Sequence, residues 1–206
     1  GLFMLSLRDK LRAMGVEPIH IKTDSIKIQN STPEIIDFIM SYGKQYGYDF
    51  EVEHKFDRFC LVNNAVYIAQ LSKDDEEYED TVNGWTATGA QFAEPYIFKT
   101  LFTKEPLEFK DYCQNKSVME GEIYIDFNEK EEHNYAFIGK VGSFVPVKEG
   151  TGGGNLVCFH DDKYDSVTGA KGYKWVEAET MKELDKLDTI DISYYDKMLN
   201  EAVASI

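Results

Sequence analysis

Apolar residues Leu2, Phe3, Leu5, Leu7, Leu11 and Met14 recur at roughly helical spacing among basic ones, and Gly15 follows as a natural stop. The pattern then changes to alternation. In "IHIKTDSIKI", residues 19–28, isoleucines flank a central Thr23-Asp24 pair. With that pair as a two-residue loop, Ile21 faces Ile26, His20 faces Lys27 and Ile19 faces Ile28, so all four isoleucines share one face. His20, Lys22, Ser25 and Lys27 fall on the other. Helical periodicity returns at "STPEIIDFIMSYGKQYG". There Ser31 or Thr32 can cap, Pro33 suits the first turn, and Glu34 completes a capping box with Ser31. Ile35, Ile36, Phe38, Ile39 and Tyr42 supply the buried stripe.

Downstream, "YDFEVEHKF" and "RFCLVNNAVYIAQL" read as two strands joined by a polar link near Asp57. The acidic run "SKDDEEYED" reads as a solvated loop at a hairpin end, with "GWTATGAQF" as the returning strand. "EPYIFKTLF" and "EFKDYCQ" have the texture of short helices. From Gly121 the pattern is mostly β, in "EIYIDF", "YAFIGKVGSFVPV", "GNLVCFH" and "KGYKWVEA", before a helical end in "TMKELDKL" and "SYYDKMLNEAVASI". The fold class expected is α+β: an antiparallel hairpin, helix and two-strand module over residues 1–72, then a mixed, mostly β part with C-terminal helices over 73–206.

Charge narrows the choice of function. The 206 residues carry 22 basic and 37 acidic side chains, a net charge of −15. Such a balance disfavours tight, unaided binding to nucleic acid, which relies on basic patches. No apolar run approaches the roughly 18 residues a membrane helix needs, and "GLFMLSL" has no basic start or cleavage site, so neither a membrane span nor a secretory signal is read. Three widely spaced cysteines, Cys60, Cys113 and Cys158, point to reduced thiols in a cytoplasm. The four histidines show no ligand spacing for zinc.

The Thr-Asp loop does not fit the usual hairpin chemistry. Two-residue loops favour Asn-Gly or a leading Gly because one or both positions have φ > 0. A strained Thr23 would cost on the order of 1–3 kcal/mol, the kind of departure found at functional sites. A longer, relaxed loop around a solvated Asp24 is the alternative.

The stretch Lys22-Thr23-Asp24-Ser25, in a hairpin followed by a helix and two strands, resembles the Asp-Thr-Asp-Ser motif of family B DNA polymerases. Longer stretches, among them "YGYDFEVEHKFDRFCLVNNAVYIAQ", "WTATGAQFAEPYIFKTLF", "GKVGSFVPVKEGTGGGNL" and "VTGAKGYKWVEAE", are similar to the polymerases of tailed bacteriophages and prophages. The resemblance implies a palm portion over 1–72 and a thumb or C-terminal region over 73–206, in the cytoplasm of a bacterial host. It also implies primer-template DNA and dNTP as partners. Asp24 matches the second, metal-binding aspartate of the motif, and Lys22 stands where the first aspartate belongs. Nucleotidyl transfer uses two Mg²⁺ ions about 3.5–4 Å apart, and hard cations take carboxylate oxygens. Lys22 would meet a phosphate or a neighbouring carboxylate, and Ser25 would support the turn.

In the same family the strand pair after the motif grips the primer terminus. The matching stretch "CLVNNAVYIA" offers Asn63, Asn64 and Tyr67 for backbone or sugar contacts, or as polar strand positions and a core aromatic, and lacks the family's lysines. The exonuclease domain, the partner aspartate and the fingers helix lie upstream of the motif, so the chain is expected to be inactive alone. Asp126, in "EIYIDFN", follows the hairpin instead of preceding it and reads as an ordinary strand-end residue. "GTGGGN", residues 150–155, lacks the Gly-Lys-Ser/Thr ending of a phosphate loop and reads as a glycine-rich connection. Lys171, Lys174 and Trp175 form a small basic-aromatic cluster suited to stacking and phosphate contact, or to lysines lying over a half-buried Trp. The competing function is a non-catalytic accessory or interaction module that keeps the fold.

Overall fold

The structure is a computed structural model that describes residues 1–128, 130, 132–181 and 184–206. It divides into two compact units, Gly1–Gly89 and Ala90–Ile206.

The first unit begins with helix α1 (Leu2–Ala13), whose stripe of Met4, Leu7 and Leu11 is buried and which ends before Gly15 at φ 80°. A two-stranded antiparallel sheet follows, β1 (Pro18–Ile21) and β2 (Ile26–Ile28), then helix α2 (Pro33–Gln45). Thr32 stands at the N-cap of α2 with no side-chain cap bond, so the Ser31–Glu34 box is not formed. Met4, Leu7, Leu11, Ile39 and Tyr42 make the core, with Ile21, Ile26 and Ile28 packed against it. Each fully buried leucine contributes roughly 1.5–3 kcal/mol over an exposed one.

A three-stranded antiparallel sheet completes this unit in the order β3 (Phe56–Asn63), β4 (Val66–Leu71), β5 (Trp85–Thr88). The turn between β3 and β4 falls at Asn64-Ala65 and not near Asp57, because the Asn63 side chain accepts from the Ala65 amide at 2.8 Å and closes a turn there. Residues 49–55 therefore precede the sheet instead of forming a strand. The acidic run is pinned back on that segment: the Asp75 carboxylate accepts from the Lys55 and Glu77 amides at 2.8 and 3.1 Å. The unit ends later than the break expected after Ser72, since β5 pairs with β4 and carries the acidic loop with it.

The second unit contains helix α3 (Pro95–Phe102), β6 (Gln114–Ser117), β7 (Glu122–Asp126), β8 (Tyr135–Gly139), β9 (Val141–Val147), β10 (Asn155–His160), β11 (Lys163–Ser166), β12 (Lys174–Glu177) and helix α4 (Ile192–Ala204). "EFKDYCQ" forms only a 3₁₀ turn, Phe109–Tyr112. Two antiparallel sheets result, β11-β10-β7-β8 and β12-β9-β6. The chain passes from one to the other at Lys140, between β8 and β9. Gly154 and Trp175 also bridge them, exchanging backbone bonds of 2.9 and 2.7 Å. That bridge explains the glycine run. A Cβ on Gly154 would lie 2.5 Å from the Asp126 carbonyl oxygen, and one on Gly153 would lie 2.4 Å from Val147 Cγ2. Trp175, Phe144, Val145, Leu156, Ile123 and Tyr195 fill the core. The protein is thus α+β, a helical and antiparallel mixture in both units.

Candidate functional site

The hairpin of the first unit keeps the expected register near its tip, with Ile21 opposite Ile26 and His20 opposite Lys27. Further out the register shifts. Pro18, not Ile19, faces Ile28, and Ile19 sits in the bulge, 38% exposed. Three of the four isoleucines therefore pack on the helices, and the fourth does not. Thr23 and Asp24 form the loop, closed by a 2.9 Å bond from the Lys22 amide to the Ser25 carbonyl. Neither has positive φ, so the loop is relaxed and stores no backbone strain. Asp24 is exposed at its tip.

The opposite face of the hairpin is not a solvent face. His20 is buried, and its Nε2 donates to the Asn64 carbonyl at 3.0 Å while its ring meets Tyr67 edge-on. Its Nδ1 is buried without a hydrogen-bond partner. Alternation places His20 on the face opposite the isoleucines, but the cover that buries it comes from Asn64 and Tyr67, far along the chain. Tyr67 stacks on Phe59 with centroids 4.8 Å apart, and the ammonium groups of Lys22 and Lys27 each lie 5.9 Å from its ring centre. Lys27 also reaches the Ser25 hydroxyl at 3.5 Å. The hairpin is thus clamped between the helical core on one face and the β3–β4 pair on the other. Lys22 and Lys27 reach Tyr67 from the hairpin, while Asp24 and Ser25 stand in and beside its loop. The Asn63 side chain closes the β3–β4 turn, and the main-chain carbonyl of Asn64 accepts from His20.

Asp24 supplies one carboxylate. A pair of Mg²⁺ ions needs several oxygen ligands. Among the described residues no group of three or more His, Cys, Asp or Glu side chains is placed to hold a metal ion. The residues present do not by themselves fit the two-ion site that the resemblance implies. Asp126 is committed elsewhere: Oδ1 accepts from the Asn128 and Asn134 amides at 3.1 Å each, and Oδ2 accepts from His133 Nδ1 at 2.6 Å.

In the second unit Lys171 is exposed, Lys174 donates to Asn155 Oδ1 at 2.9 Å, and Trp175 is completely buried. Trp175 therefore offers no face to a nucleobase. Its indole N–H donates to the Ala170 carbonyl at 2.9 Å, and the ammonium of Lys116 lies 5.5 Å from its ring centre. The stacking reading of this cluster is corrected: the tryptophan is a core anchor. No helix among the described residues is long and apolar enough to cross a membrane.

Comparison with family models, with characterised proteins and with solved structures finds no match to this chain.

Proposed function

We propose that this chain is the C-terminal palm and thumb portion of a phage-type family B DNA polymerase, meeting primer-template DNA through the hairpin of its first unit. The observation that carries the reading is the placement of Asp24 at the exposed tip of a hairpin clamped on both faces, with Lys22 and Lys27 beside Tyr67. A carboxylate on a rigid turn is what a metal-assisted phosphoryl-transfer site uses, because precise placement is the catalytic contribution of the protein. Asp24 would be one Mg²⁺ ligand in a complete enzyme. The other carboxylates and the dNTP-binding groups would come from outside these residues. The two ammonium groups provide phosphate contacts in a chain that is otherwise strongly acidic.

The net charge of −15 favours a second reading, an interaction module that keeps the fold without catalysis. Salt-dependent binding separates the two. The purified chain is expected to bind a fluorescent primer-template duplex in the general non-specific range, roughly 10⁻⁴–10⁻⁶ M at physiological salt. Lys22→Ala with Lys27→Ala should weaken it and reduce the slope of log K against log salt by about one unit per lost phosphate contact. Asp24→Asn should leave that slope unchanged. A double variant with the wild-type slope would remove the hairpin from the DNA face, and no DNA binding at low salt would leave the interaction module.

A further inference from the structure

The outward face of the β11-β10-β7-β8 sheet is paved with aromatic rings that the proposed function does not use. Tyr124 on β7 stands edge-on to Phe137 on β8 and to Tyr164 on β11, at 5.5 and 5.7 Å between centroids. Tyr135 lies flat on Tyr164 at 3.9 Å, and Phe159 on β10 reaches Tyr164 at 4.8 Å. The neighbouring β7 positions, Ile123 and Ile125, point into the core, so the strand divides its apolar side chains between two faces. Phe137 is 63% exposed and Tyr164 38%. Contiguous apolar surface of this kind on a sheet marks a binding face more often than chance.

The charge around it selects the occupant. The strands and turns of this sheet carry Glu120, Glu122, Asp161, Asp162 and Asp165 against Lys140 and Lys163. At one end of the sheet an open cavity of about 480 Å³ is lined by Phe159, Glu122, Asp161, Asp162, Lys140 and His160. His160 is already engaged, with Glu120 Oε2 at 2.6 Å and Asp161 Oδ2 at 3.0 Å. Asp161 and Asp162 form the β10–β11 turn with φ of 49° and 59°, which holds both at the cavity rim. Aromatic faces attract ammonium and guanidinium groups through the ring quadrupole, and nearby carboxylates add to that attraction. A phosphate backbone would meet repulsion instead.

We propose that this aromatic face binds an extended, arginine- or lysine-rich segment of a partner protein, its side chains lying over Tyr164 and Phe137 and one cation entering the cavity beside Phe159. The proposal is independent of the polymerase reading. It is tested by fluorescence anisotropy of the purified full chain with a labelled (Arg-Gly)₄ peptide, with (Glu-Gly)₄ and a twelve-residue oligo-dT as the other probes. Phe137→Ser with Tyr164→Ser should weaken (Arg-Gly)₄ binding by about five-fold or more, the scale of lost cation–π contacts. Asp161→Asn with Asp162→Asn should weaken it and flatten its salt dependence, while Asn keeps the positive-φ turn. Equal binding by wild type and both double variants would show attraction to overall charge alone and overturn the proposal. So would tighter binding of oligo-dT, or a concentration-dependent dimer that Phe137→Ser abolishes. Phe137 is largely exposed, so the single Phe137→Ser variant carries the test if the double variant does not fold.

Discussion

Replacing Trp175 with alanine is expected to destabilise the second unit by about 3–5 kcal/mol, the range for deleting a large aromatic from a close-packed core. The side chain is completely buried. Tyr194 meets its ring edge-on at 5.1 Å between centroids, and Lys116 lies above it. Its backbone forms the bridge to Gly154 that joins the two sheets. A cavity there would be lined on several sides, leaving the surroundings little room to collapse. The indole N–H bond to Ala170 adds a second loss, so Trp175→Phe should recover only part of the stability. Urea unfolding followed by far-UV circular dichroism measures the difference, since that signal does not depend on the removed chromophore. Lys171→Ala is the control: an exposed residue away from any cap or core should stay within about 0.5 kcal/mol of wild type. A Trp175→Ala variant as stable as the control would show that the ring is not the anchor of this core.

Trp175 also shows where sequence reasoning stops. "KGYKWVEA" is legible as a strand, and the strand is there as Lys174–Glu177. Which face the tryptophan takes depends on β9 and on Gly154, neither of which is near it in sequence. The same limit applied to His20. Alternation placed it opposite the isoleucines, and it is opposite them, but that face is covered by Tyr67 and Asn64 from a later hairpin. Local signals fared better. The first two helices, the Ile21–Ile26 register and the Gly15 stop all follow from residues within a turn or two of each other. Ile19 was lost to a bulge that period-two alternation does not announce. The β3–β4 turn falls at Asn64-Ala65 and not near Asp57, because Asn63 bonds the amide two residues on and so forms a turn inside an otherwise strand-like run. The aromatic face of the second unit was invisible for a further reason. Its rings come from four strands and meet only after β7 pairs with both β8 and β10.

Asp126 supplies the second large effect, and its size depends on pH. The carboxyl is buried and holds three donors: the amides of Asn128 and Asn134, and His133 Nδ1. Burial alone pushes its proton affinity up, but the bonds from His133, Asn128 and Asn134 together outweigh burial and hold the group below the ordinary carboxylate range. A folded-state pKa below the unfolded one means that the ionised group stabilises the fold. That contribution is fully present above the unfolded value of about 3.9 and is lost as pH falls through the lower folded value. Asp126→Asn keeps the size of the side chain but removes the charge, and it turns one acceptor oxygen into a donor facing donors. At neutral pH it should cost about 1.5–3 kcal/mol, the scale of hydrogen bonds to a charged group. Asp126→Ala should cost at least as much, because it leaves the Asn128 and Asn134 amides without this acceptor. Urea midpoints of wild type and Asp126→Asn, measured from pH 7 down to pH 2, should converge as the wild-type carboxyl takes up its proton. A gap that stays constant over that range would mean that shape, and not the ionised carboxylate, is what the β7–β8 connection requires.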